Sequence, residues 1–347
     1  MVTRIGLDLG YANITLSDSL AEIYREPAVA LVHKEPKADS RRTISIGSAA
    51  LDAGADGAAV PDGVLVRPFK NGMLFDHQLT REIVHSAIAA IGDAEKIRCI
   101  VGVPSDFLPK QERELAGMLT EAGVTTTMFV SRPVAALIGA GYSPTMSVIS
   151  VNIGAMSTEV AIIRKGEIIQ TARDNIGGED FDKAVKQYIY DQGDVNVSLS
   201  VARAIKEKLG AVWKGKPNET IDIEGTLALT GNTLNMTLAT EDIVGVFEQP
   251  LQKLMMMLVG VINKIPAAAV EEILANGIVL TGGGAELFGI EMLMSKVLGI
   301  TVTKPEGAID CVAKGLSRVN SFVPLKVKAD GKNITSKLAG YYENGKK

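Results

Sequence analysis

Two stretches decide the fold: Ile5-Gly6-Leu7-Asp8-Leu9-Gly10-Tyr11-Ala12-Asn13-Ile14-Thr15-Leu16 near the start, and Val148-Ile149-Ser150-Val151-Asn152-Ile153-Gly154-Ala155-Met156-Ser157-Thr158-Glu159-Val160-Ala161-Ile162-Ile163 near the middle. In each, an apolar run rich in β-branched residues reaches a polar residue, turns at a glycine beside small or hydroxyl residues, and resumes as a second strand. A unit that occurs twice marks a duplicated lobe. Glycine at the apex lets backbone N–H groups approach an anion, because no Cβ blocks the way. Two such turns facing one another would clamp a polyphosphate, with Asp8 holding Mg2+ through water. Each turn alone reads equally well as a tight hairpin.

Outward from these units, 26–32 reads as a strand entering a polar, small-residue segment that runs to Asp62, expected to be a weakly packed insert with mobile loops. Residues 79–91 carry helical spacing, with Ile83, Val84, Ala87, Ile88 and Ile91 on one side. A strand over 99–104 and a helix over 109–122 follow. In the second half, Gly177-Gly178-Glu179-Asp180 opens a helix with Phe181, Val185, Tyr188 and Ile189 at helical intervals. A helix over 201–209, strands over 219–223 and 226–229, and helices from Thr240 and Ala267 come next. A last strand, 277–280, runs into Thr281-Gly282-Gly283-Gly284. Three consecutive glycines between strand and helix suit either a flat ligand such as a purine or ribose, or a tight strand-to-helix turn. Strands alternating with helical crossovers give the α/β class.

Composition narrows the function. The 347 residues, 46% hydrophobic and 22% charged, suffice for two globular domains or one large bilobed one. A formal net charge of −4 argues against a nucleic-acid partner. Cys99 and Cys311, in apolar settings with no paired spacing, suit a reducing cytoplasm, and the N-terminus reads straight into a strand with no secretion signal. The longest apolar run, 254–262, is about half a membrane span. Its three methionines leave a buried helix or an adaptable subunit contact as readings. The lysines of the last segment, Lys326 to Lys347, read as a solvated tail.

The order of elements resembles the MreB family of bacterial actin-like proteins. Beyond the two turns, the resemblance rests on Glu26-Pro27-Ala28-Val29, Arg67-Pro68-Phe69-Lys70-Asn71-Gly72, Val101-Gly102-Val103-Pro104-Ser105, Pro133-Val134-Ala135-Ala136-Leu137-Ile138-Gly139-Ala140-Gly141, Gly177-Gly178-Glu179-Asp180-Phe181-Asp182 and the glycine triplet. It implies an actin-like ATPase fold: two duplicated lobes, each a mixed five-stranded sheet flanked by helices, around a nucleotide cleft. The lobes would span 1–145, with an insert over about 29–65, and 146–320, with an insert over about 183–238, before a tail at 321–347. By the same resemblance, Asp8, Gly10, Tyr11, Ala12 and Asn13 form the first phosphate turn, and Gly154, Ala155, Met156, Ser157 and Thr158 the second. Gly178, Arg203, Lys206, Gly282, Gly283 and Gly284 would surround ATP or ADP, with Asp8 as the Mg2+ residue. The implied partner is a second copy of the chain, in a filament.

Three positions depart from the family pattern: Asn152 stands for an Asp, Arg132 for the Glu before the helix proline, and Arg203 for a ribose-contacting Glu. In the family the lost Glu orients the attacking water and the lost Asp supports metal and water. Arginine carries donors only, so it accepts no hydrogen bond from water; asparagine orients but is no base. The first two changes make the site more positive by about three charges, which favours nucleotide, weakens the hold on Mg2+ and disfavours hydrolysis. Arg132 has two fates open: bonding phosphate oxygens, or turning away to a surface carboxylate. The resulting reading is a cytoskeletal filament protein with little or no turnover. Its alternatives are an active ATPase rebuilt around Asp8, Glu179 or Thr158, and a monomeric chaperone-like ATPase. The loop Gly92-Asp93-Ala94-Glu95-Lys96-Ile97 has one Ile among charges, so direct membrane binding is not expected, and a soluble or adaptor-tethered filament is favoured, an adaptor protein being a candidate partner.

Overall fold

The structure is a computed structural model that describes residues 2–18, 22–34, 41–55, 63–70, 72–165 and 167–322. The lysines beyond residue 322 lie outside them. The chain forms two compact units: one holds residues up to Met146, Lys165–Ile168 and the segment from Asp310; the other holds Ser147–Arg164 and Ile169–Ile309.

Both units are built on the same sheet plan. In the first, Val2–Leu9 pairs antiparallel with Asn13–Ser17 and parallel with Lys96–Val103, and the five-stranded order closes with Glu22–Pro27 at one edge and Val124–Ser131 at the other. In the second, Val148–Ile153 pairs antiparallel with Thr158–Arg164 and parallel with Ile278–Thr281, between edges Glu167–Asp174 and Val302–Thr303. The two stretches 5–16 and 148–163 are thus the central hairpins of equivalent sheets.

Side-chain alternation fixes what each face of the first sheet meets. Ile5, Leu7 and Leu9 enter the core with Ile83, Val84, Leu115 and Leu119 from helices His77–Ala89 and Pro109–Glu121. Gly6 and Asp8 take the opposite face. There a Cβ on Gly6 would stand 2.7 Å from Leu316 Cβ, and one on Gly102 3.0 Å from Leu316 Cδ1. The helix Cys311–Phe322 therefore lies directly on this sheet. It also crosses helix Arg132–Gly139, where added Cβ atoms would meet Cys311 O at 1.8 Å (Gly139) and Ala135 O at 1.7 Å (Gly315). This helix packs in the first unit, not in the second where the sequence reading put residues up to 320. Its glycine contact with helix 132–139 is invisible to local pattern.

Three further elements differ from the sequence reading. The run 26–32 is two strands, because the backbone turns at Ala28 and Val29: Ala28 N–H donates to Ala12 O (2.8 Å) and Val29 N–H to Pro27 O (2.8 Å). The second of them, Ala30–Lys34, centres a three-stranded sheet with Arg41–Ile46 and Gly63–Val66. Helix Ser48–Ala55 covers it over a small core of Val29, Leu31 and Ala50, so the expected loose insert is ordered over these residues. Next, 219–229 is not two strands but one, Thr220–Leu227, whose hairpin partner Thr233–Ala239 was missed. Gly225 lies within the single strand and lets another strand approach: a Cβ there would sit 2.3 Å from Val195 Cγ1. Finally, the methionine-rich helix Glu248–Ile262 buries Leu254, Met255, Leu258 and Val261 but exposes Met256 (68%) and Val259 (42%), so it is core on one face only.

Glycines at backbone crossings and glycines on open helix faces should respond in opposite ways. Gly315→Ala forces the two helices apart and is expected to cost about 3 kcal/mol or more. Gly117→Ala, on helix Pro109–Glu121 with nothing near its Cβ position, should stabilise by about 0.5–1 kcal/mol. Thermal melts of both variants check this; a harmless Gly315→Ala would refute the crossing.

Candidate functional site

In the first unit the sequence-predicted turn residues Gly10, Tyr11, Ala12 and Asn13 link the two hairpin strands. A side chain on Gly10 would press on Asn13 O at 2.7 Å. The turn is held from outside by Arg67: its Nη1 donates to Tyr11 O (2.9 Å) and Ala28 O (3.2 Å), and its guanidinium lies 4.8 Å from the Tyr11 ring centre. Arg67 stood in a quoted motif without a role; only the fold brings it to the turn.

Asp8 lies near the end of the first strand, paired with Gly102 of the neighbouring strand. Arg132 meets it. Strand Val124–Ser131 delivers Arg132 to the start of helix Arg132–Gly139, with Pro133 beside it and Ser131 fixed by a 2.7 Å hydroxyl bond to Ser105. Its Nε donates to Asp8 Oδ1 at 3.2 Å and its Nη2 to Leu9 O at 2.7 Å, and the residue is 8% exposed. The guanidinium is thus turned toward the end of the first strand. Burial raises the Asp8 carboxyl above the ordinary aspartate range; Arg132, and more weakly Arg25, pull it back without cancelling the rise.

In the second unit the turn at Gly154–Thr158 is backed by the glycine pair. Gly178 N–H donates to Gly154 O (2.9 Å) and Glu179 N–H to Ala155 O (2.7 Å), while a Cβ on Gly177 would meet Ala155 O and Ser157 N at 2.7 Å. Among the described residues, the N–H groups of Ala155, Met156 and Ser157 have no acceptor, which is what an anion-binding turn presents. Thr158 differs: it is fully buried and its hydroxyl donates to Ile176 O (2.8 Å).

Lys206 and Arg203, both on helix Leu199–Leu209, converge on one carboxylate that the sequence reading passed over. Asp182, fully buried on helix Gly178–Gly193, receives Lys206 Nζ at 2.6 Å and Arg203 Nε at 3.2 Å. Lys206 also donates to Gly178 O (3.1 Å). The available signal was periodicity: Asp182 falls on the apolar side of its helix with Phe181, Val185 and Ile189.

Asn152 is buried beside the glycine triplet, where its Oδ1 accepts from Thr281 Oγ1 (3.3 Å). Gly282, with φ of 88°, and Gly284 have their own backbone reasons: side chains there would meet Ile153 O at 2.3 Å and Ile153 Cγ2 at 2.2 Å. Gly283 alone is exposed, with only Ile309 within 4 Å of its Cβ position.

These residues do not suit a magnesium ion. Asp8 already faces a guanidinium, and Asn152 in the second unit carries no charge.

Replacing Arg132 tests the pair. Arg132→Met removes the cation that lowers Asp8, so the carboxyl rises further. Its protonated form is favoured in the fold, a contribution present in full below the ordinary aspartate range and lost as pH climbs through the raised value. The variant should therefore lose about 3 kcal/mol near pH 8 and clearly less near pH 5. Equal losses in melts at both pH values would contradict the assignment.

A model of the MreB/Mbl protein family matches residues 2–326. The cell shape-determining protein Mbl of Bacillus cereus is 26% identical over 318 residues, spanning 90% of this chain and 93% of that protein. MreB of Escherichia coli K12 is 26% identical over 319 residues, spanning 90% and 91%. Among solved structures, Spiroplasma citri MreB5 bound to ADP superposes with a TM-score of 0.84 at 21% identity, covering 92% of this chain and 96% of that one. MamK in its double helical filament gives 0.78 at 20%, covering 93% and 100%. The fold is actin-like, and the chain belongs to the MreB/Mbl family.

Proposed function

We propose that this chain is a cytoplasmic, filament-forming cytoskeletal protein that binds ATP or ADP and hydrolyses it slowly or not at all. Nucleotide binding is supported by the structures of MreB5 with ADP and with AMPPNP, and filament formation by the MamK double helical filament. The acceptor-free N–H groups of the second turn and the open face at Gly283 suit a polyphosphate and a base.

The observation that carries the catalytic half is Arg132 lying on Asp8 and Leu9 O. Hydrolysis needs an in-line water held by an acceptor, with charge compensation around the γ-phosphate. Arg132 offers no acceptor, and Asn152 cannot take a proton. The residues available to rebuild the site are engaged elsewhere: Thr158 with Ile176 O, Asp8 with Arg132, and Glu179 with Lys183 at 2.9 Å. Filaments of a protein that does not hydrolyse its nucleotide persist once formed.

Attachment through an adaptor fits the surface better than apolar insertion. No helix among the described residues is long and apolar enough to cross a membrane, and Ile97, the apolar residue of loop 92–97, is buried in its strand.

Actin-like filaments repeat a head-to-tail contact that does not close. Purified protein should pellet above a critical concentration, and a monomer at every concentration and salt would contradict the filament. The parent should release phosphate at background, and Arg132→Glu with Asn152→Asp together should raise release by about tenfold or more, beyond either change alone. Robust steady-state turnover by the unmodified chain would overturn the catalytic half.

A further inference from the structure

The carboxylate expected to stand beside the phosphates is already compensated by a fixed cation. Every residue of helix Arg132–Gly139 is buried, and Arg132 opens it with two directed bonds, so its guanidinium is held in place. A divalent ion bound to Asp8 Oδ1 would stand a few ångströms from that guanidinium and be repelled by it. In the second unit, Asn152 is neutral and its oxygen accepts from Thr281. The electrostatic reason for a metal at a carboxylate beside a triphosphate is to relieve repulsion between like charges. Here an arginine does this at the carboxylate itself.

Resting on the nucleotide reading above, we propose that Arg132 takes the place of a divalent cation at Asp8, so that this chain binds adenine nucleotide without a metal ion. Arg67, with its bonds to Tyr11 O and Ala28 O, then positions the turn independently of metal. Arg25 favours the Asp8 carboxylate more weakly, since its own charge is paired with Glu22 and with Asp310 Oδ1 at 2.6 Å.

Calorimetric titration of the full chain with ATP and with ADP, in EDTA and in millimolar Mg2+, tests the proposal. Dissociation constants within about threefold of each other are expected, and weakening by about tenfold or more in EDTA would overturn it. Absence of binding under both conditions would instead overturn the nucleotide reading on which it rests. Arg132→Glu, checked for folding by circular dichroism, should acquire a Mg2+ dependence of about tenfold or more; equal affinities in the folded variant would count against the proposal. A second measurement needs no variant. Mn2+ added to the parent with ADP, its free fraction read by electron paramagnetic resonance, should be bound no more tightly than ADP alone binds it. A tighter Mn2+ site in the complex would also overturn the proposal.

Discussion

The structure depends on backbone meeting backbone at distances that exclude a side chain. Gly139 and Gly315 let two helices touch, Gly177 lets a helix start rest on the second turn, and Gly282 lets the chain leave its strand against Ile153. Each contact replaces the adjustable packing of side chains by nearly rigid peptide groups. Strand ends, turns and helix starts are thereby held in fixed relation within each unit. The residues proposed to hold the nucleotide are mostly those same strand ends and turns. Positional order that other proteins obtain from ligand or metal is here largely a product of packing.

Within that frame, a single change of charge alters what the first turn can do. Two unit charges about 4 Å apart interact by about 4 kcal/mol at an effective dielectric of 20, enough to decide whether a carboxylate attracts a metal ion or is satisfied by the protein. Burial of Asp8 remains the larger influence, which is why its carboxyl stays raised despite Arg132. The arginine is the lesser force on the proton and the greater one on any approaching cation. In the second unit, buried Asp182 likewise gathers Lys206 and Arg203, so two residues first assigned to the nucleotide also have a structural partner.

The hairpins were legible because both their strands and their turns are local, and duplication repeated the signal. The helix and strand cores followed from periodicity. What escaped the sequence were distant approaches: Gly225 marks the passage of strand Val195–Asn196, and Gly282 and Gly284 answer to Ile153 as much as to any ligand. The substitution at position 132 was visible in the sequence, but its partner was not, since Asp8 and Arg132 are 124 residues apart. Arg67 and Asp182 stand within family motifs and acquire roles only from their contacts.

The helix Cys311–Phe322 covers the Gly6 and Gly102 face of a sheet whose first strand begins at Val2, and Ser17 Oγ donates to Ala313 O across 296 residues. Synthesis therefore delivers the first strand of this unit at the outset and its cover last. The second unit, contained within 147–309, is complete before that cover leaves the ribosome. Domains generally mature in the order in which they emerge, and here the order is reversed. The earlier half of the nascent chain must wait, with one face of its sheet bare, for the later half to finish, a delay that protease digestion of stalled ribosome complexes would register as late protection of the N-terminal segment.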